Sequence, residues 1–103
     1  MTTINELAEA IQNHKKVLLQ YDDQPPPLRE IDPYVIYRST TGKILLNAYQ
    51  HSGYSESEEE VAWKIFEIDR ITSLTVLDKV FDIRPDYKPD SDRYSDALYK
   101  VQL

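Results

Sequence analysis

Between Lys16 and Leu77 the apolar residues recur with the two-residue period of an extended chain, and no helical period returns within that span. Such a chain has to bury alternating faces in a sheet. The breaks between runs are too short for crossover helices, so neighbouring strands must run antiparallel. Five runs fit. Val17, Leu19 and Tyr21 alternate within Lys16–Tyr21, which stops at Asp22-Asp23-Gln24-Pro25-Pro26-Pro27, where three prolines supply no backbone donor. Leu28–Ser39 follows, with Pro33 demanding an edge or a bulge, and Thr41-Gly42 then turns the chain into Lys43–Gln50. His51–Glu60 is polar and acidic and reads as a loop. Val61–Ile68 and Ile71–Leu77 complete the set across a break at Asp69-Arg70.

Only the first segment has helical spacing. Ile4, Leu7, Ala8 and Ile11 fall at i, i+3, i+4 and i+7, which predicts a helix over 3–14 with Thr3 and Glu6 as a capping box. At about three turns it is marginal in isolation, so its apolar stripe must dock. The prediction is a mainly β fold with an N-terminal α-helix: a small five-stranded antiparallel barrel, whose closure removes the sheet edges. Val17, Leu19, Val35, Ile44, Leu46, Phe66, Ile68, Leu74 and Val76 are its candidate core. Trp63 has the opposite parity to Phe66 and is expected to cover the tail, the helix or a second subunit. The barrel domain occupies 1–81. Residues 82–103, with Pro85, Pro89 and five aspartates, read as a polar C-terminal tail whose Tyr87, Tyr94, Leu98, Tyr99 and Val101 can dock on the barrel.

Composition narrows the chemistry. Eighteen acidic against 12 basic side chains give a formal net charge of −6, which disfavours indiscriminate attraction to phosphate backbones or anionic lipid. A local basic pocket is compatible with that charge; a broad basic face is not. The chain has no cysteine, so disulfides, thiolate-ligated zinc and thiol nucleophiles are excluded. No apolar run approaches the roughly 18–20 residues of a spanning helix, and the first residues lack the pattern of a secretory leader, so a cytoplasmic protein without membrane attachment is expected. His14 and His51 stand apart from any metal-binding or acid–base spacing, and two glycines cannot make a phosphate-cradling loop. Asp22-Asp23 and Glu58-Glu59-Glu60 read as solvated loops rather than a cation site. The expectation is no enzyme, no cofactor and no metal.

Several strings, in order, resemble the WYL-domain family. Ile11 with Lys15-Lys16-Val17-Leu18-Leu19-Gln20-Tyr21 resembles that family's opening, and Arg29-Glu30-Ile31-Asp32-Pro33-Tyr34-Val35-Ile36 its second strand. Lys43-Ile44-Leu45-Leu46-Asn47-Ala48-Tyr49 lies where the Trp-Tyr-Leu signature continues into Ala-Tyr, with only Leu46 of the signature kept. Lys64-Ile65-Phe66-Glu67-Ile68-Asp69-Arg70-Ile71 is similar to the Asp-Arg-Ile segment, with Lys64 in place of an arginine and so without the planar fork that grips an anion twice. The resemblance spans roughly residues 8 to 81. It implies an Sm-like, SH3-type barrel, and a place in bacterial transcription regulation for the proteins that carry the domain behind a helix-turn-helix module.

The resemblance also implies a basic ligand channel at the matched positions Arg29 and Arg70. Along the fourth strand Lys64, Phe66, Ile68 and Arg70 share a parity, which predicts that Lys64 and Arg70 flank an apolar centre. Arg29, Lys64 and Arg70 can then converge, with Tyr49 as a ring for a base to stack on. The structural alternative pairs Arg70 with Asp69 or a strand carboxylate and Arg29 with Asp32. Eight tyrosines in 103 residues mark either a recognition surface or packing, and packing accounts for most of them more simply. Two functions follow. One is a non-enzymatic ligand-sensing module that binds a nucleotide or single-stranded nucleic acid while a partner protein carries the output. The other is a protein-interaction adaptor or Sm-like assembly subunit, including a homo-oligomer.

Overall fold

The computed structural model describes residues 2–22, 28–53 and 62–102. Helix α1 runs Thr2–Asn13, followed by strands β1 (Lys15–Tyr21), β2 (Arg29–Arg38), β3 (Ile44–Ser52), β4 (Ala62–Glu67), β5 (Ile71–Val80) and β6 (Ala97–Lys100). Each of the five predicted strands is present within a few residues of its expected bounds. His51, read as the start of a loop, instead extends β3, and most of the two long loops lies outside the described residues. The helix begins at Thr2, so Thr3 sits inside its first turn rather than capping it. It ends at Asn13, and His14, the next residue, has a φ of 54°, the left-handed conformation that terminates helices. The His14 carbonyl then accepts from the Phe81 N–H at 2.8 Å.

All pairings are antiparallel, in the order β4-β3-β2-β1-β5. Strand β2 is long enough to be shared along one edge. Its start pairs with β1 (Val17 with Ile31, Leu19 with Arg29) and its end with β6 (Val35 with Lys100, Ile36 with Tyr99). Pro33 falls between these two segments, where the β2–β3 register also shifts, so the missing donor sits at a bulge as expected.

Two features depart from the predicted barrel. The sheet has six strands among the described residues, and no ladder joins β4 to β5, so it is not closed. It nevertheless curls far enough for Tyr21 on β1 to meet β4, from which it is separated by two strands: the Glu67 N–H donates to the Tyr21 hydroxyl at 2.9 Å. A side chain thus takes a backbone donor that a closing ladder would have used. The sixth strand comes from the segment read as a polar tail, which also buries Tyr87, Tyr94 and Val101. Together with Phe81 they cover β2, and this is why residues 31–37 are buried on both faces.

Leu7, Ala10 and Ile11 of α1 join Val17, Leu19, Val35, Leu46, Phe66 and Ile68 in the core, with Ile44 and Leu74 partly buried against it. One row, Ile36-Leu46-Phe66, crosses three strands in register. Val76, predicted to be core, is 38% exposed although its partner Val17 is fully buried. Among the described residues β5 has a neighbour on one side only, and its less exposed residues are Ile71, Leu74 and Leu77, every third position rather than every second. Val76 keeps its place opposite Val17, but it lies on a strand that no second described strand covers.

Candidate functional site

Three of the four predicted site residues lie on one face of the sheet. Tyr21 ends β1, and its ring has the Arg70 guanidinium 5.0 Å and the Arg29 guanidinium 5.7 Å from its centre. Arg29 also lies 5.2 Å from the centre of Phe66, which meets Tyr21 edge-on. Arg29 is buried at the start of β2, where its Nη1 donates to Gln50 Oε1 at 3.0 Å. Gly53 fixes that backbone. Its φ is +113°, and a Cβ there would stand 2.3 Å from the Leu28 carbonyl oxygen and 2.5 Å from the Arg29 Cα. Lys64 is half-buried opposite Ala48 and shares the face of Phe66 by strand alternation.

Arg70 reaches this patch by a different route from the one its parity implied. β4 stops at Glu67 and a 3₁₀ turn, Ile68–Arg70, resets the alternation. The Arg70 side chain, 44% exposed, pairs with Asp22 and, at 3.3 Å, with Glu67. The Asp22 N–H in turn donates to the Arg70 carbonyl at 2.7 Å. The hydrogen bonds from Arg70 to Asp22 and Glu67 push its pKa above the ordinary guanidinium value. Glu67 is held below the usual carboxylate range by Lys43 first and Arg70 second. Arg70 therefore takes the strand carboxylate of the structural alternative, with Asp22 in place of Asp69. Asp32, the alternative partner for Arg29, instead sits buried between Lys16 Nζ at 3.0 Å and His51 Nε2.

Tyr49 belongs to the reverse face, opposite Trp63. Its ring packs against His51 and Trp63, and the Arg84 guanidinium lies 3.9 Å from its centre. Arg84 and Asp86, absent from the sequence-derived site, come from the segment after Phe81, where no motif singled them out. Asp86 binds two donors, the Trp63 indole N–H and Arg84 Nε, both at 2.9 Å, which hold its carboxyl low, the indole contributing most. Asn47, beside them on β3, donates through Nδ2 to the Tyr94 hydroxyl. Its Oδ1 is buried and meets no donor among the described residues, a shortage that costs about 1–3 kcal/mol. No cluster of three or more His, Asp or Glu able to hold a metal occurs among the described residues, and no helix there is long and apolar enough to cross a membrane.

The helix, strands β1–β4, the first part of β5 and the Arg29–Arg70 patch fall within a segment that matches a family model. That model describes the WYL domain and matches residues 2–76. The chain belongs to the WYL-domain family. Its fold is also similar to that of a solved structure, proteasome accessory factor B/C (PafBC) of Arthrobacter aurescens, with a TM-score of 0.66 over 84% of this chain at 16% identity. At that identity the likeness is one of fold. The chain spans 13% of the length of that PafBC chain. A comparison with curated proteins returned no match. Arg29, Lys64 and Arg70 lie inside the WYL match, whereas Phe81, Arg84, Asp86 and Tyr94, which build the reverse face, lie beyond it.

Proposed function

We propose that this WYL domain is a non-enzymatic, ligand-sensing regulatory module that takes a nucleotide or short single-stranded nucleic acid on the Tyr21 patch, while a partner protein carries the output. The observation behind this reading is the placement of two guanidinium groups on one tyrosine ring in a chain of net charge −6. The global field repels phosphate, so local cations have to hold it. Arg70, at the exposed end, is the group that meets the phosphate. Its fork can trade Asp22 or Glu67 for the incoming anion, which couples ligand binding to the turn joining β4 to β5. Arg29 and Lys64 supply positive potential from behind. Tyr49, on the reverse face, takes no part in this pocket, and the stacking ring is Tyr21. The sheet is read as an Sm-like one left open, with the Tyr21–Glu67 hydrogen bond at its seam.

The test is a titration of labelled short single-stranded DNA and RNA at low and high salt, with Arg70→Gln beside the parent. Binding that weakens with salt and falls roughly ten- to a hundredfold in Arg70→Gln, with melting unchanged, supports the reading. A folded parent that binds neither, or a variant that binds equally well, removes it. The adaptor reading would then take over, and it has an observation of its own. β5 is an edge strand with Val76 38% and Val80 64% exposed, a surface suited to pairing with another chain or a second copy.

A further inference from the structure

On the reverse face a cleft of about 280 Å³ lies between β3–β4 and the segment that follows Phe81, lined among the described residues by Asn47, Trp63, Asp86, Lys88, Ser91 and Tyr94. Four of these six come from beyond the WYL match, so the cleft is an addition to the part of the chain that the family model covers. Its polar chemistry is incomplete in a specific way. The Asn47 amide is spent at one end on the Tyr94 hydroxyl and unpartnered at the other. Asn47 and Tyr94 therefore offer one unused acceptor, Oδ1, beside one unused donor, the Tyr94 O–H. Rotating the amide by half a turn makes the Asn47 nitrogen the unused donor and the tyrosine oxygen the unused acceptor, so the complement they demand is the same. Trp63 supplies a flat wall whose indole N–H is already committed to Asp86. Lys88 forms no ion pair among the described residues, whereas Asp86 is engaged by both Trp63 and Arg84.

We propose that this cleft is a second binding site, for a small planar molecule that presents a cyclic-amide edge, an N–H next to a carbonyl, as nucleobases and other lactams do. The volume admits a single ring rather than a drug-sized ligand. The ring lies against Trp63, its amide edge meets Asn47 and Tyr94, and an anionic substituent on the ring faces Lys88. The site is separate from the Tyr21 patch and does not depend on it.

Trp63 is the only tryptophan in the chain, so its emission reports occupancy directly. The experiment titrates the full chain with uracil, orotate, 2-piperidone and 1,3-dimethyluracil, following Trp63 emission and confirming by calorimetry. Saturable binding of uracil is expected, with 1,3-dimethyluracil, which has no N–H, roughly tenfold weaker or more. Orotate should bind more tightly than uracil, and Lys88→Ala should erase that advantage without changing uracil binding. Tyr94→Phe, which keeps the ring packed on Tyr37, should weaken uracil roughly tenfold. 2-Piperidone separates the sources: binding near that of uracil means the amide edge suffices, and much weaker binding means the flat ring of a nucleobase is also required. Arg70→Gln should leave every one of these affinities unchanged. The proposal is overturned if a folded parent shows no saturable response to uracil or orotate at millimolar concentration. It is equally overturned if dimethyluracil binds as well as uracil, or if neither Lys88→Ala nor Tyr94→Phe alters binding. Oligonucleotide binding lost in Arg70→Gln, with no response of Trp63 to uracil, would leave the Tyr21 patch standing and this site refuted.

Discussion

The two aromatic clusters on opposite faces of the sheet are held by different physics. Around Tyr21 cations pack on rings: Arg29 lies against Tyr21 and Phe66, Arg70 lies against Tyr21, and carboxylates hold Arg70 from outside. Around Tyr34 rings pack on rings. Trp63, Phe81 and Tyr87 all meet it at 4.7–5.1 Å, and its hydroxyl accepts from the Arg84 N–H. Exposed ion pairs contribute little to stability and respond to salt, whereas buried ring area is worth several kilocalories and does not. The first cluster is therefore free to change partners, as a ligand site must be. The second is the structural staple, apart from the cleft at its edge.

The sharpest way to break this comparison is to end the chain at Phe81. That removes β6 and the buried Tyr87, Tyr94 and Val101. At about 1.5–3 kcal/mol for each side chain of this kind, the loss is comparable to the whole ~5–15 kcal/mol stability of a small domain. The shortened chain is expected to show no cooperative thermal transition by circular dichroism. A well-folded product would mean that the WYL match alone carries the core and that the reverse face is decoration.

Phe66→Ala comes next. Phe66 is 1% exposed and ends the Ile36-Leu46-Phe66 row, so its removal should cost about 3–5 kcal/mol in urea denaturation. It also takes away the ring on which Arg29 and Tyr21 rest, so affinity at the Tyr21 patch should fall with stability. Unchanged affinity in the fraction that remains folded would separate the patch from the core beneath it.

Alkaline pH probes the second cluster selectively. Burial pushes the Tyr87 phenol from 10.0 up to about 12, and burial also raises Tyr34. A phenol whose folded pKa is raised binds its proton more tightly in the native state, so its contribution is complete below about pH 10 and is lost as pH climbs towards 12. The urea midpoint should therefore fall over that window. Tyr87→Phe should make the fall shallower, at the expense of the hydrogen bond to the Val101 carbonyl at neutral pH. Identical alkaline slopes in parent and variant would show that Tyr87 is not the group being titrated.

The sequence made one cluster legible and hid the other. Strand period located β1 to β5, and the ordered strings of the family resemblance singled out Arg29, Lys64 and Arg70, which do share a face. Arg70 reaches the expected face through the 3₁₀ turn at 68–70 rather than along a regular strand, and Val76, although paired with buried Val17, is left exposed on an edge strand. Tyr49 lies on the reverse face with Trp63, because period alone does not say which face a strand buries, and here both are covered. The segment after Phe81 reads as a tail able to dock, but its aspartates and prolines set its average, and Tyr87, Tyr94 and Val101 are spaced by a chain that follows no regular period until β6. Their shared apolar character was the available signal, and only the fold could show what they covered.

The smallest effect expected is the acid response of the first cluster. Glu67 has its pKa lowered from 4.5 by hydrogen bonds from Lys43 and then Arg70. A carboxyl depressed in the folded state contributes stability that is complete above the unfolded value and lost as pH falls through the folded one, so this contribution disappears below about pH 4.5. Lys43 is 63% exposed and Glu67 27%, so water and salt screen the pair heavily. Glu67→Gln should lower the melting temperature at pH 7 by no more than a degree or two on an order-of-magnitude basis, and less in high salt. It should also flatten the acid limb, because the variant has no proton to take up there. The same substitution removes one of the two carboxylates that compete for Arg70, so anion affinity at the Tyr21 patch should rise while stability barely moves. A variant that loses both stability and affinity would place Glu67 among the groups that build the patch, and the contrast between an exchangeable cluster and a fixed one would fail at that residue.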